Sequence, residues 1–344
     1  MTRDRKAEHI ELASDERMQA THSAFDDFEL EHEALPELDF DAIDTSCRFL
    51  GKQLQAPILI SCMTGGTGAA AQINRNLARA AEMRGVAVGV GSQRKAIEDP
   101  ATRQTFEVRD VAPTVPVLGN LGAVQLNYGY GIQQCREAVA MVEADALALH
   151  LNPLQEVLQP EGDRNFSGLL AKIARVVEEL EVPVVAKEVG SGISQSTGRR
   201  LVQAGVKFLD TAGVGGTSWA RIEAARRDDA ELGDLFAHWG LSTPESILAL
   251  RDLPAVTLIG SGGVRNGLDV AKALALGAHV AGLARPFLAA AMESPEAVCA
   301  RIDRVVEELK ISMLCVGARN LAALRRASIR RMAATVYPFR SQGV

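Results

Sequence analysis

Residues 144–156 have the sequence ADALALHLNPLQE, which changes from apolar to polar at its centre. The apolar half predicts a buried parallel strand. The polar half brings one imidazole, two amides and one carboxylate together, from His150, Asn152, Gln155 and Glu156. Because ligands of parallel α/β proteins bind at the carboxyl ends of strands, this run predicts a functional site. A simple capped loop is the alternative, since the Asn-Pro pair favours a turn.

Seven further apolar runs resemble this one and alternate with helical patterns. The eight predicted strands are spaced by roughly 23 to 50 residues and cover Pro57–Ser61, Val86–Gly91, Pro116–Asn120, Asp145–His150, Pro183–Glu188, Lys207–Thr211, Val256–Gly260 and His279–Leu283. Predicted helices cover Ala69–Arg84, a segment from about Pro100, Ile132–Glu143, Gly168–Leu180 and a segment from near Ser194. This alternation predicts a single (β/α)8 TIM barrel. A doubly wound open sheet is disfavoured, because the first strand has no Gly-x-Gly-x-x-Gly after it.

The barrel is predicted to span residues 56–344, and residues 1–55 form an N-terminal arm. A long insertion, about 219–254, separates the sixth and seventh strands. Helical sequence after Pro295 predicts a C-terminal helical extension that ends in Arg325-Arg326 and Arg330-Arg331. The arm is mostly acidic, but it carries Arg5, Lys6 and His9. These residues either belong to a solvated tail or fold over a site and bind an anion such as diphosphate.

Composition narrows the class of protein. The 344 residues are 47% hydrophobic and 4% aromatic, with a net charge of −6. This balance supports a large core and argues against a nucleic-acid partner. The five cysteines form no Cys-x-x-Cys pair, which favours a reducing compartment. With no apolar segment at the N-terminus, we expect a cytoplasmic protein that has no membrane partner.

Glycine-rich loops follow the sixth, seventh and eighth predicted strands. They contain Gly215-Gly216-Thr217, Gly262-Gly263 with Arg265, and Ala284-Arg285. Glycines let backbone N–H groups approach phosphate oxygens, and barrels commonly bind phosphate after strands seven and eight. The three loops together predict a phosphate-bearing cofactor. Lys187 and Asn120 end two other strands, where they suit the polar edge of a cofactor ring or, alternatively, strand capping and pairing with an acid.

The full set of motifs resembles type 2 isopentenyl-diphosphate isomerase, an FMN-dependent family. The motifs occur in order from residue 5 to about 287: Arg5-Lys6-x-x-His9, Met63-Thr64-Gly65-Gly66, Gly91-Ser92-Gln93-Arg94, Gly119-Asn120, His150 to Glu156, Lys187-Glu188-Val189-Gly190, Gly215 to Trp219, and Ser261-Gly262-Gly263-Val264-Arg265. The run from His150 to Glu156 and the Arg-Lys arm are more specific than the glycine loops, which recur across flavin-binding barrels.

The resemblance implies the interconversion of isopentenyl and dimethylallyl diphosphate with reduced FMN, Mg²⁺ and NADPH as the flavin reductant. It implies FMN contacts from Met63, Thr64, Gly65, Ser92, Asn120, Lys187 and Thr217, and phosphate contacts from Gly262, Gly263, Arg265, Ala284 and Arg285. The implied substrate-binding residues are Arg5, Lys6, His9, Ser92, Gln93, Arg94 and Gln155. Glu156 is implied as the Mg²⁺ ligand, and Gln155, His150 and Asn152 as catalytic residues. The family also implies a homotetramer or homo-octamer.

Two other functions share this fold. An FMN-dependent 2-hydroxy-acid oxidoreductase needs a histidine base near strands six to eight, and residues 211–218 and 260–265 contain none. A non-catalytic flavin-binding protein would not need the Arg-Lys arm or Glu156. Within the isomerase hypothesis, the proton is moved either by the reduced flavin or by His150 as general acid. Gln155 does not titrate, so we expect it to orient the substrate.

Overall fold

The computed structural model describes residues 5–332, and side chains from residue 8 onward. Within this range there are fourteen α-helices: α1 (Arg5–Ser14), α2 (Gly68–Arg84), α3 (Arg94–Glu98), α4 (Ile132–Val142), α5 (Pro153–Leu158), α6 (Leu169–Glu179), α7 (Gln195–Gln203), α8 (Trp219–Arg226), α9 (Ala230–Leu235), α10 (Thr243–Leu250), α11 (Gly267–Leu276), α12 (Arg285–Glu293), α13 (Pro295–Cys315) and α14 (Leu321–Leu324). None of these helices is long and apolar enough to cross a membrane.

The same residues contain twelve strands, eight of which close into a barrel. The strands are β1 (Phe28–Leu30), β2 (Cys47–Phe49), β3 (Lys52–Leu54), β4 (Ile58–Ile60), β5 (Ala87–Gly89), β6 (Val117–Gly122), β7 (Ala146–Leu151), β8 (Val184–Glu188), β9 (Phe208–Asp210), β10 (Thr257–Ser261), β11 (Val280–Leu283) and β12 (Ile329–Arg331). Strands β4 to β11 pair in sequence order, and β11 returns to β4 in parallel. The predicted TIM barrel is therefore confirmed.

Successive side chains of each barrel strand point alternately inward and outward, and so form two apolar layers. Small and branched side chains such as Leu59, Leu118, Val185 and Ile259 fill the interior of the barrel. The opposite faces of the strands pack against the surrounding helices, where α2, α11 and α13 bury much of the core. Because successive side chains of a strand point to opposite faces, one apolar run supplies both layers.

The predicted helices are confirmed with one difference, after strand β5. There the chain forms the short helix α3 and then a 3₁₀ turn, Pro100–Thr105, instead of one helix from about Pro100. Asp99 accepts a hydrogen bond from the backbone N–H of Ala101 and so caps the turn. The proline ring that follows Asp99 favours an extended Asp99, which ends α3.

The arm and the C-terminal extension are more regular than the sequence predicts. Strands β2 and β3 form a hairpin inside the predicted N-terminal arm, for which the sequence predicts no strands, and β12 pairs antiparallel with β1. The expectation that helical structure continues to Arg330-Arg331 is wrong, since these residues lie in β12. Pairing with β1 gives these residues their backbone hydrogen-bond partners, and Arg330 lies opposite Glu29 in that register. The side chains also form exposed ion pairs: Arg330 lies 3.5 Å from Glu29, and Arg331 lies 3.5 Å from Glu245.

Candidate functional site

A cavity of about 750 Å³ opens at the carboxyl end of the barrel. Seventeen of the predicted site residues line it: His9, Met63, Thr64, Ser92, Arg94, Asn120, His150, Asn152, Gln155, Glu156, Lys187, Thr217, Gly262, Gly263, Arg265, Ala284 and Arg285. They come from all eight strand ends and from the arm. The parallel barrel brings them together, because it places every strand-to-helix loop on one face.

The end of β7 carries the imidazole that the sequence analysis singles out. His150 Nδ1 lies 2.8 Å from Asn120 Oδ1, and the Asn120 amide nitrogen donates to the Val90 carbonyl. In the barrel register His150 lies beside Gly122 on one side and Lys187 on the other. Because Asn120 Oδ1 only accepts hydrogen bonds, a neutral His150 carries its proton on Nδ1.

Helix α5 and the residue before it present two amides and one carboxylate to the cavity, from Asn152, Gln155 and Glu156. Pro153 occupies the first turn of the helix, where a missing N–H costs nothing. The Asn152 amide nitrogen donates to Gln155 Oε1 at 3.1 Å and to Glu156 Oε1 at 3.0 Å. Glu156 Oε2 accepts from the backbone N–H of Asp163 at 2.8 Å. These contacts fix the three side chains relative to one another.

A buried glutamate that the sequence analysis missed lies behind Gln155. Glu223 is 0% exposed, and its Oε1 accepts from Gln155 Nε2 at 2.8 Å. His9 Nε2 lies 3.1 Å from the same oxygen, and Arg226 donates to Oε2 at 2.7 Å. Burial raises the pKa of Glu223, but His9, Gln155 and Arg226 together hold it below its ordinary value. Trp219 belongs to one of the motifs, and Glu223 lies one turn after it on α8. This spacing is the signal in the sequence that could have located Glu223 near the site.

Two acids lie under the end of β8. Lys187 Nζ lies 3.5 Å from Asp210 Oδ2, and Asp210 accepts a short hydrogen bond from Ser261 Oγ. Lys187 therefore pairs with an acid, which was the alternative to a cofactor contact, and it also lines the cavity. Glu188 is buried and accepts hydrogen bonds from Val189 and Ser191. Burial raises the pKa of Glu188 to about 7.

The glycine loops pack against each other at one end of the cavity. A Cβ on Gly262 would lie 2.2 Å from the Gly213 carbonyl oxygen, and one on Gly263 would lie 2.4 Å from the Gly215 oxygen. Both residues also have positive φ angles, 97° and 72°. Only glycine allows the loops after β9 and β10 to approach this closely. Helix α12 begins beside them, and its first residues, Arg285 and Pro286, line the cavity, so its positive end lies at this site.

The arm covers this end of the cavity. Thr217 Oγ1 donates to Gln19 Oε1 at 2.9 Å, and Arg265 donates to the Ala20 carbonyl at 2.8 Å. Arg285 donates to Glu16 at 2.6 Å. The side chains of Arg5 and Lys6, which the resemblance assigns to the substrate, lie outside the described residues.

Two predicted site residues do not line the cavity. Gln93 is 0% exposed; its amide nitrogen donates to the Ala138 carbonyl, and its oxygen accepts from the Asn120 N–H. Gly65 packs under Phe106, whose ring atom would lie 1.9 Å from an added Cβ. Both positions are explained by packing.

Three buried oxygens of the cavity wall lack a hydrogen-bond partner within the described part of the chain. They are Ser61 Oγ, Thr64 Oγ1 and Asn152 Oδ1. Buried polar atoms are nearly always hydrogen-bonded, so these three fit a polar ligand. In residues 5–332 there is no cluster of three or more metal-ligating side chains. Glu156 is the carboxylate beside the amides of α5, and a single carboxylate suits Mg²⁺ only together with ligand oxygens.

Comparisons with known proteins agree with this geometry. A family model described as FMN-dependent dehydrogenase matches residues 6–110 and 140–331. Isopentenyl-diphosphate delta-isomerase of Nostoc sp. is 48% identical over 338 residues, which cover 96% of this chain and 97% of that protein. The protein of the same name from Rickettsia rickettsii (strain Sheila Smith) is 47% identical and covers 95% of this chain and 97% of its own length.

Solved structures share the fold at low sequence identity. A mandelate oxidase variant with a monooxide FMN adduct aligns with a TM-score of 0.63 at 17% identity, covering 94% of this chain and 92% of that one. Lactate oxidase of Pediococcus acidilactici aligns with a TM-score of 0.67 at 16% identity, covering 90% and 85%. Identities this low support the barrel fold alone.

Proposed function

The chain belongs to the FMN-dependent dehydrogenase family and, within it, to the isopentenyl-diphosphate delta-isomerases, and on this premise we propose that it interconverts isopentenyl and dimethylallyl diphosphate. The observation that carries the proposal is the polar cavity at the carboxyl end of the barrel, whose wall contains α5 and the oxygens of Ser61, Thr64 and Asn152, which have no hydrogen-bond partner among the described residues. The reaction moves a double bond along three carbons and needs no net oxidation.

We propose that FMN binds in this cavity, across the carboxyl ends of the barrel strands. Met63, Thr64, Ser92, Asn120, Lys187 and Thr217 would hold the flavin, and Gly262, Gly263, Arg265, Ala284 and Arg285 would hold its phosphate. The cavity volume of about 750 Å³ lies in the range of cofactor and ligand pockets. Reduced FMN supplies a proton donor and acceptor there, with NADPH as its reductant. Gly65 contributes by allowing Phe106 to pack under the loop.

We propose that the substrate diphosphate binds Ser92 and Arg94, and that His9 of the arm, which lines the same cavity, also contributes to the substrate site. Arg94 already donates to Asp163 at 2.7 Å and to Glu98 at 2.8 Å, so the diphosphate must share this guanidinium with two carboxylates. Glu156 is our candidate Mg²⁺ ligand; phosphate oxygens and water would complete the shell. Arg5 and Lys6 would add cations from the arm.

The hydrocarbon end is oriented by Gln155. Its amide nitrogen is committed to Glu223 and its oxygen to Asn152, so the side chain is held rigidly. Such rigidity lowers the entropic cost of placing the reacting carbons. His150 is the alternative proton donor, and His150→Asn tests it. If turnover of that variant stays near normal, His150 is not the general acid.

Anaerobic turnover in deuterated water tests the proposal. Isopentenyl diphosphate is mixed with protein, FMN and Mg²⁺, and one sample is reduced with NADPH or dithionite while the other stays oxidised. We expect deuterated dimethylallyl diphosphate only in the reduced sample, with no stoichiometric loss of NADPH. A protein that binds FMN but forms no product in either sample contradicts the proposal.

Glu156→Gln tests the metal assignment under the same conditions. We expect the Mg²⁺ concentration for half-maximal rate to rise, because the neutral amide is a weaker ligand for a hard cation. Glu98→Gln is the matched control, since Glu98 is half-exposed and contacts Arg94 without contacting α5. An unchanged Mg²⁺ dependence in Glu156→Gln contradicts the assignment.

Assembly and location complete the proposal. We propose that the arm, residues 1–55, forms part of the substrate site of the barrel that follows it, that the protein is a cytoplasmic homotetramer or homo-octamer, and that neither nucleic acid nor membrane is a partner. Light scattering after size-exclusion chromatography measures the subunit number, and a monomer at working concentration contradicts it.

A further inference from the structure

Helix α13, in the C-terminal extension, is held against the two helices that begin at the glycine loops. It packs along α11 and α12. A Cβ on Gly267, the first residue of α11, would lie 2.2 Å from the Val305 carbonyl oxygen of α13. The Gly267 N–H also donates to Glu308 Oε2 at 2.8 Å. The position of α13 is therefore fixed relative to the start of α11.

Arg301 extends from α13 into the cavity wall. Its Nη2 donates to the backbone carbonyl of Arg265 at 2.9 Å, and its side chain lines the same cavity as Gly262 and Gly263. A guanidinium has five N–H donors in a planar fork, and this carbonyl uses one of its nitrogens. Arg301 thus joins the loop after β10 from outside the barrel.

The cations at this end of the cavity outnumber the acids that contact them. Within residues 8–332, the guanidinium groups of Arg265 and Arg301 form no ion pair with a carboxylate, whereas Arg285 pairs with Glu16. The nearest acid is Asp269, whose Oδ2 accepts a hydrogen bond from the backbone N–H of Arg265 at 2.9 Å. Arg265 uses backbone carbonyls as partners, so its charge is not neutralised by them. Two guanidiniums without an acidic side-chain partner in residues 8–332, beside the N-terminus of α12, suit a dianion.

We propose that Arg301 is a further binding residue for the phosphate monoester of the flavin nucleotide, supplied by the C-terminal extension. This inference rests on the proposed binding of FMN in this cavity. A phosphate monoester carries close to two negative charges near neutral pH, so Arg265 and Arg301 together match its charge. Arg301 supplies the second of these two positive charges, and its hydrogen bond to the Arg265 carbonyl orients the guanidinium plane.

Comparing FMN with riboflavin isolates the phosphate contact, because riboflavin has the same ring and lacks the phosphate. Dissociation constants are measured on the full-length apoprotein by quenching of flavin fluorescence. We expect Arg301→Ala to weaken FMN binding by about tenfold or more, the loss typical of one charge-assisted contact. Riboflavin binding should change by less than about twofold, since it makes no contact with the guanidinium.

Arg304→Ala is the matched control on the same helix. Arg304 is 59% exposed and pairs with Glu307 and Glu308, away from the cavity. We expect this variant to bind both flavins as the unmodified protein does. Arg301→Lys keeps the charge but loses the fork, so its FMN affinity should fall between that of Arg301→Ala and the unmodified protein.

Three outcomes are decisive. Equal loss of FMN and riboflavin binding in Arg301→Ala, with a lower melting temperature of the apoprotein, assigns Arg301 a packing role and overturns the inference. Unchanged FMN binding in Arg301→Ala overturns it as well. If the unmodified protein binds FMN no better than riboflavin, the phosphate site itself is refuted and the inference fails, while the turnover assay in deuterated water tests the proposed function separately.

Discussion

Glu223→Gln removes one charge from the buried cluster behind the Gln155 amide. The carboxylate accepts hydrogen bonds from Gln155 and Arg226, and His9 Nε2 lies 3.1 Å from it. A glutamine at this position has one acceptor oxygen and one NH₂ group, so at least one donor then faces another donor. If the Gln155 amide flips to relieve this, its nitrogen replaces the oxygen that accepts from the Asn152 amide nitrogen at 3.1 Å, and two donors then face each other there.

The expected loss in the free energy of unfolding depends on which groups of the cluster keep a partner in the variant. Breaking a buried ion pair costs about 3–5 kcal/mol when one ion is left without a partner. Arg226 keeps Glu8 and Glu161, at 3.1 and 2.8 Å. We therefore expect the free energy of unfolding to fall by about 2–3 kcal/mol, mainly from the unsatisfied donor. Misorientation of Gln155 should lower kcat by about tenfold or more.

The pH dependence has a definite sign. The pKa of Glu223 lies below its ordinary value of 4.5 in the folded protein. Its ionisation therefore contributes stability that is fully present above pH 4.5 and is lost as the pH falls through the folded pKa. The stability difference between the unmodified protein and Glu223→Gln should be largest at neutral pH and smaller at about pH 3.5.

Urea unfolding and steady-state isomerase assays measure both effects. Glu161→Gln is the control, because Glu161 contacts Arg226 at 2.8 Å and is 44% exposed. We expect this control to keep its kcat and to lose less than about 1 kcal/mol. A Glu223→Gln variant with unchanged kcat and unchanged stability would refute the argument that Glu223 orients Gln155.

Further predictions concern buried residues near the site. Glu188→Gln should abolish part of the pH dependence of stability. Burial raises the pKa of Glu188 to about 7, so the stability that its protonated form contributes is present below pH 4.5 and is lost as the pH rises through 7. Urea unfolding at pH 5 and pH 8 measures this loss, which is about 3 kcal/mol at most. Gly65→Ala should lower thermal stability by about 1–3 kcal/mol, because the methyl group meets the Phe106 ring. Gln93→Ala should lose stability with the KM for isopentenyl diphosphate unchanged, because the Gln93 amide bonds to backbone.

Each of these has a contrary outcome. A pH profile of Glu188→Gln that matches the unmodified protein would show that this carboxyl does not titrate in that window. A Gly65→Ala variant of normal stability would mean that Phe106 moves freely. A Gln93→Ala variant with a raised KM and normal stability would return Gln93 to the substrate site, as the family resemblance implies.

Adjacent residues at a strand end show how far sequence patterns reach. Ser92 and Gln93 belong to one motif, yet Ser92 lines the cavity and Gln93 packs on the other side. Side chains of adjacent residues on an extended chain point to opposite faces. Helix α3 begins directly after Gln93, so the sequence alone does not predict which of the two side chains faces the cavity. The motif predicted the location of the site, whereas the backbone geometry assigned each side chain to a face.

The order of the strands and the loops that carry the site could be predicted from the sequence. Apolar runs and turn residues are local signals, and a parallel barrel then requires all strand-to-helix loops to lie on one face. The partners of Gln155 and Arg265 could not be predicted. Glu223 is 68 residues from Gln155, Arg301 is 36 residues from Arg265, and β12 pairs with β1 from the other end of the chain. Such contacts exist only after the barrel has closed, because closure of the long loops between them depends on the whole fold and leaves no periodic trace in the sequence.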